Sequence, residues 1–489
     1  MTPLESLQKI RSDKRRALEE KKINLYPPAF GRTHIIAQAR ELSLGENVTI
    51  AGRLWSLRSH GKATFADLRD ASGQMQLFLT EDALGKHYEL VNFLDIGDIV
   101  GVTGTLMKTQ AGELSVKAEK LIILSKSLRP LPSTWHGLKD TEIRYRKRPV
   151  DLLLNENVRS VFIQRAKIIA AMRQFFDTRG FLEVETPTLQ PVYGGANARP
   201  FTTKHHAFDA TFYLKISDEL YLKRLIVGGF EKVYEIDKDF RNEGIDRTHQ
   251  PEFTMMECYE AYADYRGVMR FTEELFTEVA KAVIGSMAMT YQGVKIDLTP
   301  PWKRMTMEQA LKDFAAIDVL ALSDKELKAE IEKHHLKYEG DPTLTGVGAG
   351  WQRGIAIATL FALVEPKLIQ PTFIIDFPKE TSPLAKVHRS DPTKVERFEL
   401  FINGWEMANA YSEQNDPEAQ RAAFEDQVKA RKSGDEEAQP MDEDFVEMLE
   451  YGMPPTGGLG VGIDRLVMLL TDSKNMRDVV LFPTLRPET

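Results

Sequence analysis

Five short β-rich runs follow one another between Val48 and Ser125: "VTIAGRLWSLR", "ATFADLRD", "MQLFLT", "DIVGVTGTLMKT" and "LSVKAEKLIIL". With "ASGQ" and "QAGE" as turns, five strands in about eighty residues predict a small closed barrel of the OB type. Strand count alone leaves a purely structural barrel equally open. Such a barrel uses a fraction of the 489 residues; at roughly 150 residues per domain, two or three domains are expected in all. A net charge of −8 argues against a generic nucleic-acid binder, but the charge is unevenly spread. Residues 1–150 hold 24 Lys and Arg against 17 Asp and Glu, net +7, which leaves −15 for the remainder. A basic front precedes an acidic body, with chance clustering on solvated faces as the alternative. No apolar run reaches the roughly 18 residues of a membrane span. The N-terminus lacks the apolar core of a signal peptide, and Cys258, the one cysteine, cannot form an internal disulfide, so a cytoplasmic protein is expected.

The periodicities divide the chain further. Leu4–Lys22 reads as a basic amphipathic helix stopped by Pro27 and Pro28, the core of an extension over residues 1–45. The barrel occupies 46–127 and a basic linker 128–150. Over 151–489, a long amphipathic helix carries Val158, Val161, Phe162, Ile168, Ile169, Met172, Phe175 and Phe176 and ends near Gly180. "FLEVETPTL" is strand-like up to Pro187; more strands are expected near 211–216, 231–241, 252–262, 372–377, 397–413 and 457–463, with a final helix from Asp464. Residues at about 265–345 read as a helical insertion. Without regular βαβ spacing, the expected class is α+β, a large antiparallel sheet flanked by helices behind the barrel.

Three stretches carry chemistry. In "FRNEGIDRTHQPEF" two strands meet at a polar tip, and period two places Phe253, Met255, Glu257 and Tyr259 on one face. Arg241 can grip a phosphate, Phe253 can stack a purine and Glu243 can order an amine, although an Arg-x-Glu turn taken alone is more often a surface ion pair. "FELFINGWEMANAYSEQND" turns at Asn403-Gly404, so Phe401 faces Glu406 and Glu399 shares that face. Two carboxylates meeting there fit Mg²⁺, unless both are simply solvated. "GGLGVGIDRLVMLL" is a glycine-rich strand running into a helix, with Arg465 in its first turn, where anions are favoured; close strand–helix packing would look the same. Neither a P-loop nor a Rossmann fingerprint occurs.

The helix with "FLEVETPTL", then "FRNEGIDRTHQPEFT", then "GLGVGIDRLVMLL" resemble, in order, the three motifs of class II aminoacyl-tRNA synthetases. "GKATFADLRDASGQMQLFL", "GGANARPF", "ELYLKRLIVGGFEKVYEI" and "NAYSEQNDP" resemble the lysyl-tRNA synthetase branch in particular, over nearly the whole chain from Leu25. The resemblance implies an ATP- and Mg²⁺-dependent enzyme that activates L-lysine, transfers it to tRNA(Lys), reads the anticodon with the barrel and forms a homodimer. It implies Arg241 at the α-phosphate and lysine carboxylate, Glu243 and His249 serving ATP, Phe253 on the adenine and Arg465 on the triphosphate. Glu399 and Glu406 match Mg²⁺ ligands, with Glu399 also counted to the ATP site. Gly195 and Glu219 match positions at the lysine α-amino group, Asn409 and Tyr411 along its backbone and stem, and Glu257, Tyr259 and Glu413 around its ε-ammonium. Arg58, Phe65 and Gln76 match anticodon readers.

The chain departs from the family in the apolar run with Ile355, Ile357, Leu360, Phe361 and Leu363, and in Phe377, where a histidine is often found. An aspartyl- or asparaginyl-tRNA synthetase is the nearest rival, but three carboxylates at the amino-acid positions suit a substrate with two amines. A catalytically dead RNA-binding protein on this scaffold is disfavoured by intact Arg241, Glu243, Glu399, Glu406 and Arg465. Strict alternation would set Glu399 and Glu406 opposite Asn409, Tyr411 and Glu413, so a β-bulge between Glu406 and Asn409 is predicted.

Overall fold

The computed structural model describes residues 2–132, 138–338, 350–432 and 437–488. The middle of the linker, the end of the 265–345 segment and part of the acidic loop after Lys432 lie outside them. Contacts divide the chain into two units, up to Lys139 and from Asp140 onward.

In the first unit, helix α1 (Pro3–Glu20) starts from a capping box in which Thr2 and Glu5 satisfy each other's backbone N–H groups. The helix is amphipathic as its pattern predicts, but its apolar face is only partly covered. Leu4, Leu7 and Ile10 are exposed, while Arg11 and Leu18 are buried, Arg11 because it donates to the carbonyls of Ser127 and Ile96. Strands β1 (Asn47–His60), β2 (Ala63–Arg69), β3 (Gln74–Thr80), β4 (Ile99–Lys108) and β5 (Leu114–Ser125) close into a barrel in the order β1-β2-β3-β5-β4. Alternation sends Thr64, Ala66 and Leu68 of β2 inward and leaves Phe65, Asp67 and Arg69 on its outer face.

The second unit is built on an eight-stranded sheet. Helix α2 (Glu156–Thr178) buries Ile168, Met172, Phe175 and Phe176 in the core at helical spacing. "FLEVETPTL" is less regular than its pattern predicts. Pro187 cannot donate to a ladder, and only Leu182–Glu183 (β6) joins the large sheet. Helix α3 (Glu219–Val227) precedes the hairpin β7 (Lys232–Phe240) and β8 (Glu252–Ala261), and helix α4 (Tyr265–Ile284) follows it. The segment read as a helical insertion also holds strands; Lys303–Thr306 (β9) pairs in parallel with Thr372–Ile375 (β10) at the sheet edge. Helix α5 (Arg353–Phe361) packs Ala356, Ile357, Leu360 and Phe361 into a core beneath that edge, which accounts for its apolar composition.

Strands β11 (Arg397–Ile402), β12 (Trp405–Ser412) and β13 (Thr456–Gly462) complete the order β9-β10-β11-β12-β13-β8-β7-β6. The sheet is antiparallel except for the parallel pair at each edge. Asn403 and Gly404 both take positive φ, +56° and +73°, as a two-residue hairpin turn requires. Phe401 pairs with Glu406 but Leu400 with Ala408, so Met407 is an extra residue, a bulge where the sequence predicted one. Among the described residues no helix is long and apolar enough to cross a membrane.

Candidate active site

The floor of the site is a row of backbone. On β13, Leu459 and Val461 point into the core, leaving Gly458 and Gly460 on the other face. Gly460 pairs with Asn409 on one side and Glu257 on the other; Gly458 pairs with Tyr411 and Tyr259. A β-carbon at Gly458 would overlap Glu413 Oε1 and lie 2.5 Å from the Tyr259 ring. Absent side chains in the central strand therefore leave room for polar side chains from both neighbours, which reach that face of β12 only because Met407 resets the register.

A cavity of about 810 Å³ stands on this floor. Gly195, Glu219, Arg241, Glu243, His249, Phe253, Glu257, Tyr259, Glu406, Asn409, Tyr411, Glu413 and Arg465 all line it. Glu399 is the one residue of the expected set outside the wall, and Arg397, its ion-pair partner, lines the cavity instead.

At the hairpin tip, Asp246 Oδ1 accepts from the backbone N–H groups of Thr248 and His249, and Asp246 Oδ2 lies 2.8 Å from His249 Nδ1. The Arg241 guanidinium sits 5.1 Å from the centre of the Phe253 ring, and its Nε donates to the Ile216 carbonyl at 3.3 Å. Arg465 emerges from the first turn of helix α6 (Ile463–Leu470). Its Nη1 donates to the Glu406 carbonyl at 2.5 Å and its Nη2 lies 3.1 Å from His249 Nε2. The preceding Asp464 is buried and locks this helix in place, accepting from Thr254 N at 2.8 Å and from Arg165 of α2 at 2.5 Å. One end of the cavity thus offers two guanidiniums, an aromatic face and a histidine to a polyanion.

The other end is acidic. Glu257 Oε1 accepts from Ser217 Oγ at 2.8 Å and from Asp218 N, while Oε2 accepts from the Tyr259 hydroxyl. Gly195 takes φ +93°, and a β-carbon there would stand 2.7 Å from Ser217 Oγ; its N–H donates to Gln439 Oε1 at 3.0 Å. Asn409 accepts from Arg397 Nε and donates to the Tyr411 hydroxyl, both at 3.2 Å. Burial, then the charges of Asp239 and Glu219, push Glu257 up to about 8. Burial also lifts Glu413 to about 8 against the pull of Lys223. Burial, then Glu406, raises Glu399 to about 8.

Lys223, Arg397 and Ser217 were not singled out from the sequence. Lys223 is fully buried and pairs with both Glu219 and Glu413. The available signals were spacing alone: Lys223 follows Glu219 by one helical turn, and Arg397 precedes Glu399 by two strand positions. Phe377 is buried under the Arg397 guanidinium, 4.5 Å from the ring centre.

On the barrel, Arg58 pairs across the ladder with Phe65, and Phe65 with Phe78, their rings 5.0 Å apart. Gln76 lies two residues from Phe78 and accepts from Ser115 Oγ at 2.8 Å. Phe65 is not part of the barrel's buried core, so Arg58, Phe65 and Gln76 share one outer face of β1-β2-β3.

Residues 140–486 match the family model described as class II tRNA synthetases (D, K and N), and residues 48–124 match that of the OB-fold nucleic acid binding domain. Curated relatives include the lysine–tRNA ligase of Moorella thermoacetica, 53% identical over 489 residues covering 99% of this chain and 98% of the relative. Those of Pelotomaculum thermopropionicum and Carboxydothermus hydrogenoformans are each 52% identical and cover 99% of this chain and 96% and 99% of their own lengths.

Proposed function

The chain belongs to the class II tRNA synthetases of the aspartate, lysine and asparagine (D, K and N) group, and from that premise we propose that it is a lysine–tRNA ligase whose cavity joins L-lysine to AMP. The observation that carries the reading is the polarity of the cavity: Glu219, Glu257 and Glu413 at one end, Arg241, Phe253, His249 and Arg465 at the other. A ligand with two ammonium groups fits the first and a nucleoside triphosphate the second.

In this reading the α-amino group lies at Gly195 and Glu219, the stem runs along Asn409 and Tyr411, and the ε-ammonium meets Glu257, Tyr259 and Glu413. Phe253 stacks the adenine, Glu243 and His249 hold ATP, and Arg241 spans the α-phosphate and the lysine carboxylate. That carboxylate attacks the α-phosphorus as the bond to pyrophosphate breaks, with Arg465 holding the departing group; a ribose hydroxyl of the tRNA 3′ end then attacks the carbonyl carbon and AMP leaves. Positioning and charge stabilisation carry the rate, since no proton need move in the first step. Glu399 and Glu406 fit Mg²⁺, because the Glu406 charge bears on the buried Glu399 carboxyl and both are hard oxygen donors, and the ion when bound would draw charge from the phosphates. The same reading includes a homodimer built by α2 and β6, on which Ile163 and Leu182 are exposed.

Pyrophosphate exchange into ATP, run with each of the twenty amino acids, tests the assignment. Lysine alone should support it; exchange with aspartate or asparagine instead would overturn it. On the barrel, the half-buried Phe65 on the outer face beside Arg58 and Gln76 offers a stacking platform for an unpaired base, worth roughly 1–3 kcal/mol. Phe65→Ala should weaken tRNA charging accordingly and leave lysine-dependent exchange unchanged; equal loss in both assays would make Phe65 a structural residue.

Binding should also release protons. Burial raises Glu257 and Glu413 to about 8 in the empty cavity, so each keeps a proton over more of the neutral range than an ordinary carboxylate, whereas an ammonium is bound best by the ionised form. The KM for lysine should therefore fall as pH rises from 6 to 8 and level off above that. Stability has the matching sign. These carboxyls contribute most below their unfolded pKa, and the contribution is lost as pH rises through about 8, so lysine should raise Tm more at pH 8.5 than at 6.5. Calorimetric lysine titrations in two buffers of different ionisation enthalpy measure the released protons directly; equal heats would refute it.

A further inference from the structure

Three carboxylates line the amino-acid end of the cavity, one more than a diamino acid's two ammonium groups can match; Asp218 and Asp239, buried behind Glu257, stand beside Lys215 instead. The surplus charge has a partner within the chain. Lys223 Nζ lies 2.5 Å from Glu219 Oε1 and is ion-paired with Glu413 Oε2. It is fully buried, and the cavity wall holds both of its partners but not Lys223 itself. Glu413 keeps its other oxygen, Oε1, without a hydrogen-bond partner and facing the space that Gly458 leaves open. The remaining charged and titratable groups around this triad are Glu257 and Tyr259 on β8, Tyr411 on β12 and Arg397 on β11. Of these, Arg397 is ion-paired with Glu399.

We propose that Lys223 is a positioning residue for the substrate: from behind the cavity wall it neutralises one of the three lining carboxylates, so that the ionised lining presents two net negative charges to a ligand bearing two ammonium groups, and it turns Glu413 so that one oxygen remains for that ligand. The proposal rests on the lysine reading of the cavity. It assigns the lysine in "ELYLK" a part in amino-acid recognition without contact with the amino acid. It also explains why so acidic a pocket holds ionisable carboxylates at all: a third unpaired buried charge would be relieved by taking up a proton, at the expense of ammonium binding.

Lysine-dependent pyrophosphate exchange is measured across pH for the unaltered protein, Lys223→Met and Lys223→Arg. Absence of exchange in the unaltered protein would remove the lysine reading itself, and this proposal with it. With exchange present, Lys223→Met should raise the KM for lysine at least about tenfold at pH 7 and move the acid limb of kcat/KM upward by about one pH unit, since a pKa unit is a tenfold change in the ionised fraction. The KM for ATP should stay within about twofold, and Lys223→Arg should keep the limb where it was. A raised KM with an unmoved limb would reduce Lys223 to packing and overturn the proposal, as would an unchanged KM. Should Lys223→Met fail to fold, the double variant Lys223→Met with Glu413→Gln, which again leaves two carboxylates, carries the test: charge balance keeps its limb at the original pH, and a displaced limb overturns it.

Discussion

Glu413→Gln should raise the KM for lysine by about a hundredfold or more in pyrophosphate exchange, while the KM for ATP stays within a few-fold. Glutamine keeps the shape of the side chain beside Gly458 but removes the charge that Lys223 and, in our reading, the ε-ammonium share. Breaking a buried charged pair by removing one partner costs about 3–5 kcal/mol, and 1.36 kcal/mol is a factor of ten. The structure refines this expectation, which the sequence alone already supports. Glu413 is not an isolated carboxylate at the end of a pocket but one that a fully buried lysine already holds by one oxygen. Part of the cost therefore falls on Lys223, which Glu219 still holds, and the variant should also lose thermal stability. Arg241, Phe253 and Arg465 belong to other elements, so the nucleotide end should not respond. Normal lysine activation by Glu413→Gln would place the ε-ammonium elsewhere, with Glu257→Gln as the next variant.

The sheet and the cavity were legible from the sequence for a definite reason. Alternation of side chains on β8 commits Phe253, Met255, Glu257 and Tyr259 to one face before any tertiary contact is known, and Asn403-Gly404 fixes the register of the following hairpin. From that register, the need to bring Glu406 and Asn409 into one site implies an extra residue between them; Met407 is that residue. The roles of the individual side chains came from family resemblance, not from periodicity, which by itself left surface ion pairs and close packing open. What stayed illegible depends on contacts between distant segments. Lys223 on α3 is a good helix former in a good helical position, and nothing local marks it as buried against Glu413, 190 positions later. Arg397 is similarly ordinary until Phe377 is found beneath it and Glu399 beside it. The strand-like "FLEVETPTL" came out shorter for the opposite reason, since its composition fits a strand that Pro187 and the edge of the sheet do not allow to extend.

Gly458→Ala should abolish lysine-dependent exchange to below about one hundredth of the original rate, although it adds a single methyl group. The row Tyr411, Gly458, Tyr259 is the place where the sheet gives up a side chain so that its neighbours can turn inward. A β-carbon there overlaps Glu413 Oε1 and sits 2.5 Å from Tyr259 Cε1, closer than any non-bonded carbon contact. The backbone cannot retreat, because β13 is paired on both sides and its opposite face, with Leu459 and Val461, fills the core. Glu413 and Tyr259 must therefore move, and overpacking of this kind costs about 1–3 kcal/mol even before function is considered. Moving Glu413 disturbs the Lys223 pair, and moving Tyr259 removes the hydroxyl that Glu257 Oε2 accepts from. Two of the three carboxylates are thus displaced together, which is why the loss should exceed that of Glu413→Gln. Gly460→Ala provides the contrast: its nearest neighbour is the flexible end of Met255, at 3.3 Å, and it should retain most activity. Circular dichroism and thermal unfolding report whether each variant folds. A folded Gly458→Ala protein with an unchanged KM for lysine would mean that Glu413 and Tyr259 do not hold the ammonium.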